Sequence, residues 1–494
     1  MKIIKSVYIF GKVGKGYNHA KILFFLKDIT MPKYYFLLKF CLFGLLFNLV
    51  LPPLVAIGEN DQPVYDLSTC IKSGLQNHPI LLQSQLMTKY YQSGVDLAKS
   101  KLGPHISISG TALDFDNNKT ITAFSTPGGI IVTKDTRGSI YGTGLTLSQP
   151  IFSSGSLLGI LGFYAPSVER EKNNVAAQNF TNLQLRGVIV LDIIDTYGKI
   201  LKTLHSLKIE EESLKTDKLL YETALSKYQL DLINKSELLD AESVLVNEQA
   251  KIIGLKSTLE INLGTLGNKV GGGVKISKIS DNKAAFSSIL CDGDKFLSLD
   301  ELYELAYQKR NDIKALEAQI QSLTENLKVI NSKIYPEVNL GAGYDYKGDL
   351  SDPGSNNSYG WNINIRLDIP LFDCGENKAE ASQQESLIMF QREVLRALKN
   401  DIVSQIQENY QTIESLKETL KAQEKNVEKT KETLALNVAR YEKGLVSELE
   451  VLKANDELAK YEQAVYEAEI DIIVRRVALS KAIGSDILAC INFK

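Results

Sequence analysis

The sequence predicts a mainly α-helical protein that also contributes strands to a membrane β-barrel. Two observations lead to this fold class. The stretch Tyr359–Phe372 alternates apolar and polar side chains over the length of a tilted barrel strand, about ten residues. A helical pattern much longer than the helices of ordinary globular domains follows it directly. The fold of the whole chain must accommodate a strand that can cross a bilayer and that leads directly into a very long helix.

This strand is predicted to have one apolar face and one polar face, because side chains alternate with a period of two. The apolar set is Trp361, Ile363, Ile365, Leu367 and Ile369, and the polar set is Asn362, Asn364, Arg366 and Asp368. We expect the apolar set to face lipid and the polar set to line a wet lumen. Trp361 is then an interfacial anchor, with a tryptophan inside a sheet core as the alternative.

The first 58 residues are predicted to be an N-terminal extension and a signal peptide. Lys33 and Lys39 precede an apolar run at 40–55, and Ala56 and Gly58 supply the small residues of a cleavage site. A transmembrane anchor is the alternative, but the run is short and contains two prolines. Without this segment the chain has 48 basic and 58 acidic residues, a net charge of −10. Such an acidic chain argues against a nucleic-acid partner.

The remaining chain is predicted to be a tandem duplication of helix, two strands and a long helical hairpin. We expect a first repeat at 59–266, an irregular connection at 267–296, a second repeat at 297–484 and a tail at 485–494. The predicted strands are 105–116, 140–152, 338–346 and 359–372, with loops at 116–138 and 347–358. The predicted helical hairpins are 167–264 and 378–484, and the helices before the strands are 66–103 and 297–335.

Two details support the duplication. The second strand of each repeat ends in proline and an aromatic residue, and Pro150 and Pro370 are predicted joints between the barrel and the helices, because proline lacks the N–H that ladder pairing needs. The turns of the two hairpins share one spacing, and a single offset of 213 residues relates the pairs. The matching residues are Tyr228 with Tyr441, Glu237 with Glu450, Ala241 with Ala454, and Asp231 with the turn glycine Gly444.

The helix predicted at 378–443 carries a coiled-coil seam, since apolar residues recur there in steps of three and four. At about 1.5 Å per residue it would measure about 100 Å. Four strands are too few to close a barrel, because lipid does not tolerate open sheet edges and the smallest bacterial barrels have about eight strands. The strands must therefore pair with other copies, most simply under cyclic symmetry. Two copies would already supply eight strands, so the number of copies in the ring is not fixed at three by the strand count.

The signal peptide, the strand pairs ending in proline and an aromatic residue, and the two Tyr-x₈-Glu turns together resemble TolC-like outer membrane efflux proteins. The most specific part of the resemblance is 440–445 followed by 450–454. It implies a homotrimer in the outer membrane, with four strands per subunit in a 12-stranded barrel that continues into a long α-helical coiled-coil tunnel in the periplasm.

The resemblance further implies a function in passive export of drugs, small toxic molecules or secreted proteins. A periplasmic adaptor protein and an inner-membrane efflux or secretion pump would be the partners. The alternatives are an exit duct dedicated to type I protein secretion and a structural or adhesive coiled-coil surface protein. A periplasmic adaptor is a weaker alternative, because adaptors lack paired amphipathic strands of barrel length.

The resemblance also implies roles for residues near the hairpin turns. Glu450 would face the pore at its narrowest point, where a ring of carboxylates favours cations. Lys453, one helical turn later, would neutralise part of that ring. Glu237 and Tyr441 would form hydrogen bonds between neighbouring coiled coils that hold the tip shut. The simpler interpretations are a solvated glutamate at Glu450 and packing of Tyr228 and Tyr441 in the seam.

Neither enzymatic chemistry nor a cofactor or metal site is predicted. His78, His105 and His205 are not spaced as metal ligands or placed beside a nucleophile. The stretch at 11–16 resembles a phosphate loop only weakly and precedes the signal peptide. Cys291 and Cys490 are the candidates for a disulfide.

Overall fold

A computed structural model gives the fold of the chain. The described residues are 64–115, 124–126, 129–131, 138–153, 156–157, 165–271, 273–280, 283, 286, 298–349, 358–443, 445–446 and 448–485. The predicted signal peptide and both candidate disulfide cysteines, Cys291 and Cys490, lie outside these residues. Cys70 is a buried free thiol and Cys374 an exposed one.

The first half of the described chain contains two short helices, two long strands and a helical hairpin. These elements are α1 (Leu67–Asn77), α2 (Pro79–Ser100), β1 (His105–Phe115), β4 (Gly138–Ser153), α3 (Pro166–Gln229) and α4 (Lys235–Val270). Three short strands lie between them, β2 (Phe124–Thr126), β3 (Gly129–Ile131) and β5 (Ser156–Leu157). The prediction of a loop throughout 116–138 is wrong, because β2 and β3 pair as an antiparallel hairpin within it. Pro127 and Gly128, which separate them in the sequence, are turn-forming residues.

The second half repeats this order. Its elements are α5 (Leu299–Lys309), α6 (Asn311–Ser332), β6 (Glu337–Asp349), β7 (Ser358–Asp368), α7 (Glu376–Glu442) and α8 (Glu448–Ala482). In both halves one extended residue separates the two helices that precede the strands. His78 has φ −66° and ψ 125°, and Arg310 has φ −62° and ψ 129°.

The four long strands form one antiparallel sheet in the order β1-β4-β6-β7, with β5 beside β4. The two strand pairs of the duplicated halves therefore meet at β4 and β6. Strand β4 continues through Pro150, and its register with β6 shifts between Pro150 and Phe152. Pro150 lies at a bulge rather than at the end of the pairing, whereas β7 ends at Asp368, before Pro370. Proline is tolerated at such a bulge because the ladder is locally interrupted there.

The two hairpins consist of very long helices. Helix α3 has 64 residues and α7 has 67, so each measures about 100 Å at about 1.5 Å per residue. The predicted seam of α7 packs inward over most of its length, with Ile406, Ile413 and Thr430 buried and Tyr441 exposed near the turn. Within the part of the chain that the structure describes, no helix has both the length and the apolarity needed to cross a membrane.

Apolar clusters bury the helix ends at corresponding places in the two halves. The first joins α1 to the middle of α3, the end of α4 and the middle of α8, and includes Ile71, Ile193, Leu266 and Ile470. The second joins α5 and the start of α6 to α7 and the end of α8, and includes Leu302, Ile313, Ile402 and Ile483. These clusters fix the hairpins at the ends that lie opposite their turns.

Two glycines let the chain pass close to the helix breaks. Gly271 ends α4 with φ +93°, and a Cβ there would lie 2.7 Å from the backbone of Asn77. Gly484 follows α8 with φ +74°, and a Cβ there would lie 2.8 Å from the nitrogen of Arg310. Gly271 and Gly484 are related by the same offset as the hairpin turns. The duplication therefore includes the contact that docks each hairpin onto the preceding helix pair.

We expect Gly271→Ala to destabilise the protein. An alanine must adopt a backbone conformation that costs about 1–3 kcal/mol, and its Cβ would also clash with the backbone of Asn77. The midpoint of thermal unfolding of the detergent-solubilised protein should fall. Gly264→Ala, in the same helix with open space around its Cβ, is the control and should raise the midpoint through about 0.5–1 kcal/mol of helix propensity. Equal effects of the two substitutions would contradict the proposed role of Gly271.

Candidate functional site

The apolar face of the sheet extends across all four long strands. The register aligns its side chains in rows, which include Ile106–Leu147–Ala342–Ile363 and Ile108–Leu145–Tyr344–Trp361. On β7, Trp361, Ile363 and Ile365 are 77%, 66% and 69% exposed, and Leu367 is 56% exposed. Transfer of such an exposed apolar surface from water into apolar surroundings is favourable.

The opposite face is polar at the same levels. Its rows include Ser107–Thr146–Gly343–Asn362 and His105–Ser148–Gly341–Asn364. The Ser107 and Thr146 hydroxyls are 2.7 Å apart, and the Asn362 amide donates to Asp345 at 3.2 Å. Arg366 forms an ion pair with Asp368 at 2.8 Å. The sheet thus separates an apolar surface from a hydrogen-bonding one, as the alternation on β7 predicted for that strand.

Glycines on β6 make room for the polar side chains of β7. A Cβ at Gly341 would lie 2.6 Å from Oδ1 of Asn364, and one at Gly343 would lie 3.1 Å from Nδ2 of Asn362. Both asparagine side chains therefore lie across the glycine of the neighbouring strand. This arrangement is not predictable from the sequence pattern of one strand, because it depends on the register between strands.

Aromatic side chains collect at the end of the sheet that lies away from the long helices. They are Tyr141, Tyr344, Tyr346, Tyr359 and Trp361, and the hydroxyls of Tyr141 and Tyr346 are 3.3 Å apart. The steps from Tyr359 to Leu367 cover about 27 Å along the strand, which a tilt of about 40° reduces to roughly 20 Å. Outer membrane barrels have an apolar band about 25 Å tall with aromatic residues at its borders. The size of the face fits such a band.

The sheet has two long edges. Within the described residues β1 and β7 each pair with a long strand on one side only. Their outer N–H and C=O groups need partners, and the hydrocarbon of a membrane offers none. A single copy of this sheet is therefore incomplete in lipid.

A tight connection joins β7 to α7, and Pro370 lies within it. The carboxylate of Asp373 accepts hydrogen bonds from the backbone N–H of Gly375 at 2.9 Å and of Asn377 at 3.1 Å. The bond from Asn377, followed by that from Gly375, lowers the pKa of Asp373. Cys374 adopts a left-handed conformation with φ 51° to make the turn. The sequence analysis did not predict this role of Asp373 in the turn, although an aspartate just before a long helical pattern is a capping signal.

The turn of the first hairpin is fixed by local hydrogen bonds. Asn234 caps α4 by accepting from the N–H of Glu237 at 2.9 Å, and its amide donates to the Glu237 carboxylate at 2.9 Å. Asp231 occupies the left-handed turn position with φ 53°, a conformation that aspartate tolerates better than most residues. The carboxylate of Glu237, a predicted gate residue, is therefore engaged within its own turn.

The second turn repeats the backbone pattern of the first. The N–H of Leu232 donates to the carbonyl of Lys227, and the N–H of Leu445 donates to that of Arg440, both at 2.9 Å. Glu450 and Lys453 are exposed on α8, and no ion pair joins them within the described chain. The rings of Tyr228 and Tyr441 are also exposed. These candidate gate residues lie at or near the two turns, where solvent or another copy of the chain can reach them.

The histidines have structural partners. His78 caps α2 by accepting from the N–H of Ile80 at 3.3 Å, and the His105 ring lies 3.0 Å from the carbonyl of Gly103. His205 stacks on Tyr466 and lies 2.7 Å from the amide oxygen of Gln463. Among the described residues, no group of three or more His, Cys, Asp or Glu side chains is arranged to hold a metal ion.

Comparison with known proteins identifies this architecture. Residues 302–485 match the sequence family described as outer membrane efflux protein. The chain is 24% identical over 327 residues to the cation efflux system protein CusC of Escherichia coli K12, covering 64% of this chain and 68% of CusC. It is 23% identical over 300 residues to nodulation protein T of Rhizobium leguminosarum bv. trifolii, covering 60% of this chain. That match spans only 62% of the nodulation protein.

Solved structures share the fold. A crystal structure of CusC aligns with a TM-score of 0.70 at 20% identity, covering 88% of this chain and 97% of CusC. The outer membrane protein VceC of Vibrio cholerae aligns with a TM-score of 0.68 at 16% identity, covering 85% of this chain and 96% of VceC.

The predicted resemblance to outer membrane efflux proteins is thus confirmed, through the family match over residues 302–485 and the shared fold. The predicted location in the outer membrane is also confirmed. The family consists of channel proteins rather than enzymes.

We expect Ile363→Lys to reduce assembly of the protein into the outer membrane. A lysine on the lipid face of a barrel costs about 2–4 kcal/mol near the bilayer midplane. The measurement is the amount of full-length protein in purified outer membranes. Asn364→Lys, one position further on the polar face, is the matched control and should assemble like the unmodified protein. If both variants assembled equally well, the assignment of the two faces would be wrong.

Proposed function

We propose that three copies of this chain form a passive export channel across the outer membrane. Each copy contributes the strands β1, β4, β6 and β7 to a 12-stranded barrel, and its helical hairpins to a tunnel that extends into the periplasm. The observation that carries the proposal is the sheet with one apolar face, one polar face and two open edges.

The barrel part rests on the sheet edges. Pairing β7 of one copy with β1 of the next satisfies the outer backbone groups of both strands, and repeating this step around an axis leaves no edge. The apolar rows then face lipid, and the polar rows line a lumen. Pro150 and Pro370 lie where the barrel gives way to the helices, and the Asp373 cap fixes the first turn of α7 at that border.

The tunnel part rests on the apolar side chains that a single copy leaves exposed on its hairpins. They lie near both turns and include Leu219, Leu230, Leu232, Leu239, Val246, Leu436 and Leu445. In a ring of three copies, the hairpins of neighbouring subunits would cover these side chains by coiled-coil packing. The seam residues Val438 and Tyr441, which are exposed in the single chain, would be covered in the same way.

The tip of the tunnel would be the gate. A ring of Glu450 carboxylates from three subunits would attract cations and bind divalent ions. Lys453 would lower the charge of that ring, and Tyr228, Tyr441 and Glu237 would contact the neighbouring hairpin. A periplasmic adaptor protein and an inner-membrane pump would open the tip and supply the energy. The channel itself would not catalyse a reaction, and its pump would select the cargo.

We expect the purified full-length protein to be a trimer that resists dissociation by sodium dodecyl sulfate until it is heated. Images of detergent-solubilised particles should show a long tube with threefold symmetry. A monomeric, water-soluble mature protein would contradict the proposal, and a dimer would contradict the number of subunits.

A deletion strain tests the class of cargo. Greater sensitivity to dyes and detergents indicates efflux, whereas loss of a secreted protein with unchanged sensitivity indicates a secretion duct.

We expect Glu450→Ala to reduce the block of single-channel conductance by divalent cations in planar bilayers, because it removes the carboxylate ring at the tip. Glu432→Ala, an exposed acid on α7 that lies further from the turns, is the control and should leave the block unchanged. Unchanged block in Glu450→Ala would remove this residue from the gate without affecting the proposed barrel.

A further inference from the structure

A group of carboxylates lies between α3, α4 and α8, well away from the two turns. Its members are Glu210 and Asp217 on α3, Glu248 on α4, and Asp456 on α8. Asp217 is only 6% exposed. One carboxylate oxygen of Glu248 is fully buried without a hydrogen-bond partner in the described chain. This buried acceptor lacks the donors that carboxylates normally have.

Lys251 of α4 is the cation that faces these carboxylates among the described residues. It forms an ion pair with Glu210 and lies 3.9 Å from Glu248. Lys251 also acts on Asp217 and Asp456 through its charge. A single ammonium group therefore faces four acids, and full ionisation of the group would leave an excess of negative charge in a partly buried site.

Burial, together with a hydrogen bond to Glu210, raises the pKa of Glu248 to about 7. Burial and the charge of Asp456 raise the pKa of Asp217, and burial raises that of Asp456. A proton shared by Glu248 and Glu210 turns a repulsive pair into a hydrogen-bonded one. The group thus changes its charge near neutral pH.

The carboxylates lie where α8 contacts α3, so a change in their charge affects the packing of these two helices. Helix α8 runs antiparallel to α3, and polar contacts tie the two together. Lys202 pairs with Asp471 at 2.7 Å, His205 contacts Gln463 at 2.7 Å, and the hydroxyl of Ser213 donates to Asp456 at 3.4 Å. The bond to Asp456 is, within the described chain, the hydrogen bond between these helices that lies nearest the turns. One of the four carboxylates thus makes the polar contact between α3 and α8 that lies nearest the turns.

We propose that Glu210, Asp217, Glu248, Lys251 and Asp456 form a proton-operated latch that holds α8 against the α3–α4 hairpin. With the proton shared between Glu248 and Glu210, the three helices pack closely. When Glu248 releases this proton to solvent, repulsion among the carboxylates loosens α8. The further consequence, a wider tip at alkaline pH, rests on the proposed channel function.

The direction of the pH effect follows from proton linkage. Glu248 binds its proton more tightly in the packed state than in the open state, where its pKa returns towards 4.5. The packed state is therefore favoured most at low pH, and this preference is lost as the pH rises from about 4.5 to about 7. Between pH 6 and pH 8 the equilibrium between packed and open states should shift by about tenfold towards the open state.

Hydrogen–deuterium exchange of the full-length, detergent-solubilised protein, read by mass spectrometry, tests the latch. After correction for the intrinsic pH dependence of exchange, protection of the segments around Glu210, Glu248 and Asp456 should fall by about tenfold between pH 6 and pH 8. Glu248→Gln mimics the protonated side chain and should remove this fall. Glu211→Gln is the matched control, because Glu211 of α3 pairs with Lys256 of α4 at 3.2 Å. This substitution should leave the fall in protection unchanged.

A second variant changes the latch in the other direction. Lys251→Met removes the charge that lowers the pKa of Glu248, so the loss of protection should move to higher pH. The latch is overturned if protection in the unmodified protein does not depend on pH, or if Glu248→Gln retains the full dependence. The latch is also overturned if Lys251→Met does not change the pH at which half of the protection is lost.

Conductance of the same proteins in planar bilayers separates the latch from the proposed function. A conductance that rises from pH 6 to pH 8 in the unmodified protein but not in Glu248→Gln supports the coupling to the tip. If both proteins form pores with the same pH dependence of conductance, the coupling of the latch to the tip is refuted. The hydrogen–deuterium exchange data then show by themselves whether the latch exists. Absence of any pore would refute the channel function alone.

Discussion

The need to pair every backbone polar group inside hydrocarbon governs this structure. A four-stranded sheet leaves one unpaired side on β1 and another on β7, and lipid supplies neither donors nor acceptors. In the proposed barrel, other copies of the chain complete the sheet. The helices that follow the strands would then start around the rim of the barrel, and α3 and α7 would have neighbours from other copies along their length.

The duplication extends this constraint to the helical part. Each half docks its hairpin onto a broken helix pair through a glycine that passes close to the break, Gly271 beside Asn77 and Gly484 beside Arg310. Arg310 adds hydrogen bonds to the carbonyl of Ala482 and to Asp312, whereas His78 uses its ring to cap α2. The two halves thus keep the same backbone contact and stabilise it with different side chains. Backbone geometry is what the duplication preserved.

Much of this fold is predictable from the sequence, because its signals are local and periodic. Alternation on β7 identifies the apolar face of the sheet from one strand, and steps of three and four along α7 identify the seam. Other features depend on contacts between distant segments. The asparagines of β7 lie over glycines of β6 only in one register, and the carboxylates of α3, α4 and α8 meet only when both hairpins are packed. The β2–β3 hairpin was missed because polar composition outweighed a short turn signal at Pro127 and Gly128.

In the proposed barrel, the glycines of β6 would affect the width of the lumen. Asn362 and Asn364 lie across Gly343 and Gly341, so their amides would extend along the wall instead of projecting towards the axis. Residues without a side chain on β6 would thus widen the bore, while β7 would supply polar groups of the wall. The apolar side chains occupy the alternate positions and would not affect this spacing. Lumen width, wall polarity and membrane fit could therefore be altered independently of one another within one sheet.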